Sequence, residues 1–453
     1  MNFALLKPRK ESNLVFLFLT IKISNMSTKT YDFVVEGARV SGALISRLLA
    51  EKGGYKIAVC DPTFGKKPGD PPRLRYAKEK PCGGIVDHDV IEKFKIPETA
   101  TYRGREYPVI DGIIKRYKFI SPDSRIVLEY LPKDGDAVVR RKYFDWYNFS
   151  PLLDLDKSVD LYPYPIKHVE ETEDGFVNTL RNDQKIMGMS EVGAGGASSR
   201  VRKDIFWDVS SDYFCTVMVN FLHFSEEKVK EFKDTAFFWF PRQLSYGYGF
   251  VIPGSNYVRV GVGQKREKTQ PGEVLLECYN ELLNHPLFKE KLSNPERVKS
   301  LSHATPFGKS MNFYKTHPAS GLTSLSKINR LANRKVLIGE AAFHNNYLTF
   351  EGNRFAMLDA ELAWECWDRD KSFENFDNEW WKRQGTEIVK PAYQIEDFYD
   401  KEKLSELFRL AKETDRPEVL VLAFKGHVYV PEPGIVRQVM EPSKNMKQDN
   451  KKI

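Results

Sequence analysis

Several features that would point to a specialised protein class are missing from these 453 residues. The five cysteines are widely spaced, odd in number and form no Cys-x-x-Cys pair, which argues against a disulfide framework or a zinc site. The eight histidines show no metal-ligand spacing, so no metal site is expected. No internal repeat or low-complexity tract occurs. The sequence therefore predicts an ordinary globular protein of the cell interior, which we interpret as cytoplasmic.

Charge of one sign is not concentrated anywhere along the chain. The net charge is +7, but acidic and basic residues are interspersed and form no basic stripe. Nucleic acid is therefore not an expected partner. The mild positive excess would suit phosphate-bearing ligands or peripheral contact with an anionic membrane surface.

The N-terminus contains no apolar run of the length that a membrane span requires. Basic residues at 7–10 precede an apolar run at 14–19, which is far shorter than the ~20 residues of a spanning helix. No small-residue cleavage site follows this run. Residues 1–30 are interpreted as an extension, and the initiator is either Met1 or Met26.

The clearest positive pattern is a strand–turn–helix–strand unit near the N-terminus. Apolar runs at 33–35 and 57–59 flank a glycine turn at 37–42 and a helix through Leu49. Proline and charge then dominate 62–81, which reads as a long loop of the kind that is usually functional.

The remaining chain alternates between strand and helix patterns. The expected elements are strands at 111–130, a helix at 139–153, short strands at 159–192, an antiparallel sheet at 213–263, a buried strand at 336–338, a helix at 352–367 and further helices beyond 370.

The turn at 37–42 (GARVSG) occupies the place of a dinucleotide-binding fingerprint, in which glycines let a pyrophosphate approach a helix N-terminus. Gly37, Ser41 and Gly42 are the expected cofactor contacts, although Arg39 replaces the middle glycine. Asp61 ends the second strand about 20 residues later, where a carboxylate can accept a ribose hydrogen bond. Alternatively, this is an ordinary βα turn and Asp61 only begins the Asp61–Pro62 turn.

Three further segments occur in the order found in a large group of FAD enzymes that includes aromatic hydroxylases and geranylgeranyl reductases. Arg141 and the following YFD resemble that group's arginine-bearing helix. The segment 193–202 (GAGGASSRVR) resembles its GADGxxSxVR segment, and 336–342 (VLIGEAA) resembles its GDAA strand. The resemblance spans nearly the whole chain and implies an FAD cofactor.

In that group the acid of the GDAA segment binds the ribityl chain of the flavin, and the following helix N-terminus faces the flavin ring. The resemblance therefore implies that Gly339 and Glu340 contact the ribityl chain. It also implies that Gly352 and Asn353 offer backbone N–H groups to the flavin, and that Arg141 contacts the cofactor.

Two local patterns resemble geranylgeranyl reductases in particular. The segment 80–84 (KPCGG) resembles the family's PCG loop, whose cysteine lies by the flavin, which implies roles for Cys82 and Gly83. The segment 248–253 (YGFVIP) resembles its YxWxFP strand. Residues two apart share one face of a strand, so Tyr248, Phe250 and Ile252 would line one apolar tunnel that suits a polyprenyl chain. The alternatives are a buried structural cysteine and plain core aromatics.

The sequence also departs from that group at expected cofactor contacts. Arg39, Phe343 and Phe350 replace glycines, Glu340 replaces an aspartate and Tyr347 replaces a proline. Arg39 could either block the pyrophosphate or turn aside and pair with it.

The resemblance implies an α/β fold with a discontinuous, Rossmann-type FAD-binding domain (31–110, 137–205 and 325–370). This domain is interleaved with an antiparallel substrate-binding sheet domain (111–136 and 206–324). A C-terminal helical region covers 371–453.

Three functions are consistent with these patterns. The first is an FAD-dependent reductase with Cys82, Tyr248 and Phe250 at the reaction site. It would reduce C=C bonds of a polyprenyl lipid or quinone and take electrons from ferredoxin or NAD(P)H. The second is a flavin monooxygenase or halogenase on the same fold. The third is a non-catalytic binding protein that has lost FAD because of Arg39.

Overall fold

The computed structural model describes residues 28–62, 80–102, 104–265, 271–306, 311–321, 329–346 and 348–424. The proposed N-terminal extension up to residue 27, most of the predicted loop at 62–81, and the chain after 424 lie outside these residues. Expectations about Met1, Met26 and the C-terminal tail therefore stay predictions.

The strands of the described chain are numbered in chain order. They are β1 Lys29–Glu36, β2 Ile57–Cys60, β3 Ile85–Val86, β4 Thr99–Tyr102, β5 Arg105–Pro108, β6 Ile110–Ile114, β7 Arg116–Ile120, β8 Val127–Tyr130, β9 Asp136–Val139, β10 Val159–Tyr162, β11 Ile166–Thr172, β12 Gly175–Leu180, β13 Lys185–Gly193, β14 Phe214–His223, β15 Thr235–Trp239, β16 Gly247–Pro253, β17 Tyr257–Lys265, β18 Arg297–Pro306 and β19 Lys335–Leu337.

The helices are numbered in the same way. They are α1 Val40–Gly53, α2 His88–Lys93, α3 Arg141–Phe149, α4 Arg200–Ile205, α5 Glu226–Lys230, α6 Pro271–Asn284, α7 Met311–Thr316, α8 Asn329–Ala332, α9 Asn353–Asp370, α10 Phe376–Trp380, α11 Thr386–Tyr399, α12 Lys401–Glu413 and α13 Glu418–Phe424.

The first sheet has the strand order β10-β2-β1-β13-β12-β11, and β19 also pairs with β13. The strands β10, β2, β1, β13 and β19 run parallel, whereas β11, β12 and β13 form an antiparallel meander. Strand β2 is buried along its whole length and β1 is buried from Phe33 to Glu36, because helices cover this part of the sheet. The predicted strand–turn–helix–strand unit is confirmed as β1, α1 and β2.

The second sheet has the order β18-β14-β17-β16-β15-β7-β8 and is antiparallel except between β15 and β7. Its central strand β16 is buried along its whole length. Val251 faces one apolar cluster with α6, whereas Tyr248, Phe250 and Ile252 face the other cluster, as the period of a strand requires. The chain therefore has a mixed α/β fold with several sheets.

The predicted helix at 139–153 is present, but it begins later, at Arg141, and its last residues are 3₁₀ rather than α-helical. Residues 136–139 form the buried strand β9, which pairs with β6 and β3 in a small separate sheet, because four consecutive buried positions suit a strand covered on both faces. The helix α3 ends at Phe149, and Pro151 then lies in a 3₁₀ turn at 150–154.

The helices beyond 370 predicted from the sequence are present up to residue 424. They pack onto the second sheet through rings of α11, α12 and α13, since Phe398, Phe408 and Phe424 all surround Phe240 with centroid distances of 5.5 to 6.1 Å. Within the described ranges no helix is long and apolar enough to cross a membrane.

Candidate functional site

A cavity of about 990 Å³ runs between the two large sheets. Its wall begins at the β1–α1 turn and the end of β13, passes the Cys82 loop and the start of α9, and ends among aromatic rings of the second sheet. This volume is at the upper end of the range of roughly 300–1,000 Å³ that is usual for small-molecule and cofactor sites.

The β1–α1 turn has the close packing that a nucleotide-binding turn requires. Gly37 has a φ of +87°, and a Cβ atom at this position would lie 2.6 Å from the carbonyl oxygen of Ala194. Gly42 lies against the Gly37 carbonyl, and Ser41 lies against Gly339. Gly37 and Ser41 line the cavity, whereas Gly42 closes the turn behind them.

Two buried carboxylates lie where β1 and β2 end, close to this turn. Asp61 lines the cavity, and its Oδ2 atom accepts a hydrogen bond of 2.8 Å from the Ala38 N–H. Asp61 therefore binds the backbone of the turn, and its contact with a ribose stays a prediction. Glu36 accepts from the Ser199 hydroxyl at 2.5 Å and from the Arg200 N–H at 2.6 Å. Burial raises the pKa of Glu36, although these hydrogen bonds oppose the shift.

The side chain of Arg39 does not lie across the β1–α1 turn. Its guanidinium is directed at α3, where Nη1 lies 3.5 Å from Oδ2 of Asp145, and about a third of the side chain is exposed. The same carboxylate accepts from Nε and Nη2 of Arg141 at 3.0 and 2.8 Å. Asp145 therefore holds two arginines beside the cavity.

Arg141 is buried and lies next to Cys82. Burial opposes the guanidinium charge, but Asp145 and the thiol of Cys82 more than offset this, so the pKa of Arg141 is raised. The Gly84 N–H also donates to Sγ of Cys82 at 3.3 Å. Cys82, Gly83 and Arg141 all line the cavity, and their contacts with a cofactor stay a prediction.

The Cys82 loop is fixed from the second sheet by Arg259. This side chain is almost fully buried and donates to the carbonyls of Gly83 and Val139, the latter at 2.8 Å. A Cβ atom at Gly84 would lie 2.7 Å from the Val139 carbonyl oxygen. The two glycines after Cys82 are therefore needed for close packing against the second sheet.

The opposite wall comes from the segment between β19 and α9. Glu340, Gly352 and Asn353 line the cavity, whereas Gly339 lies just behind, against Ser41. Oε2 of Glu340 lies 3.8 Å from Nε2 of His303, and the carboxylate is partly exposed. Gly352 is the N-cap of the 18-residue helix α9, so the positive end of that helix faces the cavity.

The departures from glycine in this segment keep the backbone conformation that glycine favours. Phe343 has a φ of +63° and Phe350 a φ of +54°, which is unusual for bulky residues. The Phe343 ring is fully buried against Trp207, Phe214 and Phe313. The Phe350 ring stacks on Tyr248 at 5.3 Å. Tyr347 lies outside the described residues.

The far end of the cavity is an aromatic chamber. Tyr248, Phe250 and Ile252 share its wall, which confirms the face predicted for β16, while their part in a reaction stays a prediction. Other residues of its wall include Tyr117, Phe119, Val217, Phe238, Val421 and Phe424.

Two tyrosine hydroxyls belong to this chamber. Burial, together with Asp136, raises the pKa of Tyr117 well above its ordinary value, and burial and then Cys82 do the same for Tyr248. Both phenols therefore keep their protons at neutral pH, and each can donate a hydrogen bond or a proton.

The sequence reasoning missed three contributors to this site: Arg259, Tyr117 and Phe424. A signal existed for Arg259, because an arginine inside an apolar, glycine-rich strand is rarely buried without a partner. No local pattern distinguishes Tyr117 or Phe424 from other core aromatics. Among the described residues no group of His, Cys, Asp or Glu side chains could hold a metal ion.

No family model and no curated protein matches this sequence. Solved structures with the same fold do exist. A geranylgeranyl bacteriochlorophyll reductase-like protein from Thermoplasma acidophilum aligns over 92% of this chain and 98% of its own, with a TM-score of 0.62 and 14% identity.

Two other solved structures align over similar lengths. A flavin-dependent brominase aligns over 91% of this chain and 98% of its own, with a TM-score of 0.59 and 14% identity. A halogenase solved in complex with FAD aligns over 90% of both chains, with a TM-score of 0.51 and 12% identity. At these identities the likeness shows that the chain has the fold of FAD-dependent enzymes; function has to be argued from the site.

Proposed function

We propose that this chain binds FAD and is an oxidoreductase that saturates C=C bonds of a polyprenyl lipid or quinone side chain. One observation carries the proposal. A single cavity connects a nucleotide-type turn at Gly37 with an aromatic chamber, and the Cys82 loop lies between them. Such a cavity brings a cofactor and an apolar chain to one place.

The first half of the cavity fits the adenosine and pyrophosphate of FAD. The turn at Gly37 has no room for a side chain, the helix α1 begins at Val40, and Arg39 and Arg141 place two cations beside the turn. Helix N-termini and arginines are the usual partners of phosphate groups. Asp61 and Ser41 would complete this half.

The middle of the cavity fits the flavin. Glu340 would accept from the ribityl hydroxyls, and the N-terminus of α9 at Gly352 would stabilise negative charge on the ring. When bound, reduced FAD supplies hydride to the substrate, and ferredoxin or NAD(P)H supplies the electrons for its reduction.

The aromatic chamber supports an apolar chain as the substrate. Tyr248, Phe250 and Ile252 form one wall and Phe424 lies on another, so large apolar side chains make up much of the surface of the chamber. A polyprenyl chain would have to come from a bilayer, so we expect peripheral membrane contact that salt weakens.

The test begins with the visible absorption spectrum of the protein expressed from Met26, before and after addition of FAD. Protein with bound flavin is then reduced anaerobically with dithionite and incubated with geranylgeraniol. Mass spectrometry should find products heavier by two hydrogens for each double bond reduced, while free FAD under the same conditions gives none.

The outcomes separate the three candidate functions. Bound flavin together with reduced product supports the proposal. Bound flavin that forms no product but consumes oxygen together with an organic substrate would favour the monooxygenase or halogenase. Protein that ignores FAD would favour the non-catalytic binding protein.

A further inference from the structure

A second, smaller cavity lies beside the aromatic chamber. Its volume is about 330 Å³, and its wall is polar and charged. Asp87, Asp136 and Glu351 line both this cavity and the large one. These carboxylates therefore form a thin polar partition between an outer, solvent-facing space and the inner, apolar space.

One hydrogen bond crosses this partition. Tyr117 lines the aromatic chamber, and its hydroxyl donates to Oδ2 of Asp136. Both side chains are buried, with 6% and 8% of their surface exposed. Asp136 lies at the start of β9 and Tyr117 lies on β7, so two different sheets hold the pair in place.

The other tyrosine of the chamber has a different partner. The hydroxyl of Tyr248 donates to the backbone carbonyl of Thr349 at 2.5 Å. A carbonyl accepts a hydrogen bond but cannot supply a proton, whereas a carboxyl group can do both. Tyr117 is therefore the chamber hydroxyl that can be reprotonated after it gives up a proton.

We propose that Tyr117 is the proton donor of the aromatic chamber and that Asp136 returns the proton from the second cavity. The inference rests on the proposed function. In the reduction the π bond of the substrate would break, bound reduced FAD would supply the hydride for one C–H bond and become oxidised, and the Tyr117 hydroxyl would supply the proton for the other. The Asp136 carboxyl proton would then pass to the Tyr117 oxygen, and a proton from solvent in the second cavity would return to Asp136.

Charged side chains surround Asp136 in the second cavity. Arg354 lies close to Asp87 and Glu387 and offsets part of the surrounding negative charge. The other ionisable groups of the second cavity are His88, Asp89, Lys133, Asp134 and Glu351. Carboxyl groups therefore make up most of this group, and a carboxyl group can both accept and supply a proton.

The first test needs neither FAD nor substrate. The protein is made with 3-fluorotyrosine in place of Tyr117, and its ¹⁹F resonance is followed by NMR as the pH is lowered. We expect the resonance to shift as Asp136 takes up a proton. Asp136→Asn should abolish that shift, and Asp134→Asn, in the second cavity only, should leave it. A resonance unaffected by Asp136→Asn would overturn the path.

The second test uses FAD-loaded, dithionite-reduced protein with geranylgeraniol. Tyr117→Phe should lower turnover by about 100-fold or more, the range for loss of a general acid. Asp136→Asn, a positioning change, should lower turnover by about 10-fold and raise the solvent deuterium isotope effect. Tyr130→Phe, a neighbouring tyrosine stacked on Tyr117 outside both cavities, should change turnover less than twofold.

The outcomes of the two tests distinguish failure of the proton-donor role from failure of the proposed function. Equal turnover of Tyr117→Phe and wild type would overturn the proton donor while leaving the reductase intact. A wild type that binds FAD but reduces no probe would overturn the reductase, and with it the role of Tyr117 in that reaction. The ¹⁹F measurement would still establish whether the proton path exists.

Discussion

The β1–α1 turn and the β19–α9 segment face the same cavity but keep their backbone shapes by different means. In the turn, the left-handed backbone at φ +87° is occupied by Gly37, and glycine is the residue that adopts this conformation most easily. In the segment, Phe343 and Phe350 hold a left-handed backbone although both are bulky. Strain of this kind costs about 1–3 kcal/mol at each residue.

The difference shows that packing can replace glycine as the cause of a left-handed residue. The Phe343 ring lies in a fully buried cluster with Trp207 and Phe313, and Arg202 lies 5.0 Å from its centroid. Burial of a phenylalanine contributes several kcal/mol, which exceeds the strain. Departures from a glycine motif therefore do not by themselves show that a cofactor cradle is lost.

The largest combined effect on stability and FAD binding is expected from Gly37→Ala. The added Cβ would meet the Ala194 backbone at 2.6 Å in a conformation that alanine disfavours, so unfolding by urea should show a loss of about 4 kcal/mol and FAD binding should disappear. Gly54→Ala is the matched control, because Gly54 has a φ of +68° with open space around it, and it should cost only about 1 kcal/mol. Equal losses in the two variants would show that the close packing of the turn is unimportant.

Arg39→Ala tests whether the altered turn still serves a cofactor. Because Arg39 turns towards Asp145 rather than across the turn, we expect it to pair with the pyrophosphate. Its loss should weaken FAD binding by about 10-fold at low salt, the scale of one charge-assisted hydrogen bond. Calorimetric titration with FAD at two salt concentrations measures this. Tighter binding by Arg39→Ala would mean that the arginine obstructs the site.

Phe343 gives the sharpest test of the comparison. Phe343→Ala should cost about 3–5 kcal/mol, and Phe343→Gly about 1 kcal/mol less than that, because glycine removes the strain at φ +63°. At Phe355, a buried residue inside α9, the order should reverse, with glycine worse than alanine by about 1 kcal/mol. Thermal or urea unfolding of the four variants measures these differences. If the alanine variant were more stable than the glycine variant at both sites, backbone strain at Phe343 would be contradicted.

The smallest effect concerns the thiol of Cys82, whose loop lies between the β1–α1 turn and the aromatic chamber. Burial raises the pKa of Cys278 to about 12 and of Cys366 to about 11, and raises those of Cys60 and Cys215 well above their ordinary value. These thiols therefore keep their protons near pH 8 and should not react with a disulfide reagent in folded protein. One equivalent should react, and Cys82→Ser should remove it. Two reactive thiols in the native chain would be inconsistent with this burial.

The sequence predicted the parts of the molecule that local periodicity controls. The unit β1–α1–β2 follows from apolar runs around a glycine turn, and the shared face of Tyr248 and Phe250 follows from the two-residue period of a strand. The helix predicted at 139–153 is present as α3, but it begins later than predicted, because the buried residues before Arg140 suit either a strand or a helix and period alone does not separate them.

The remaining features depend on partners far apart in the chain. Arg259 contacts Gly83 across 176 positions, and Tyr248 contacts Thr349 across 101. The packing of Phe424 into the chamber depends on how α13 folds back onto β7 and β16. No local pattern contains this information, so these contributors to the site could be recognised only in the structure.

The most direct test of the account is an equilibrium titration of the protein with FAD, followed by visible absorption and calorimetry, with ADP as competitor. The account predicts one FAD per chain, a perturbed flavin spectrum, and displacement by ADP because the adenosine half binds at the Gly37 turn. A flavin spectrum identical to that of free FAD, with no heat of binding, would contradict it.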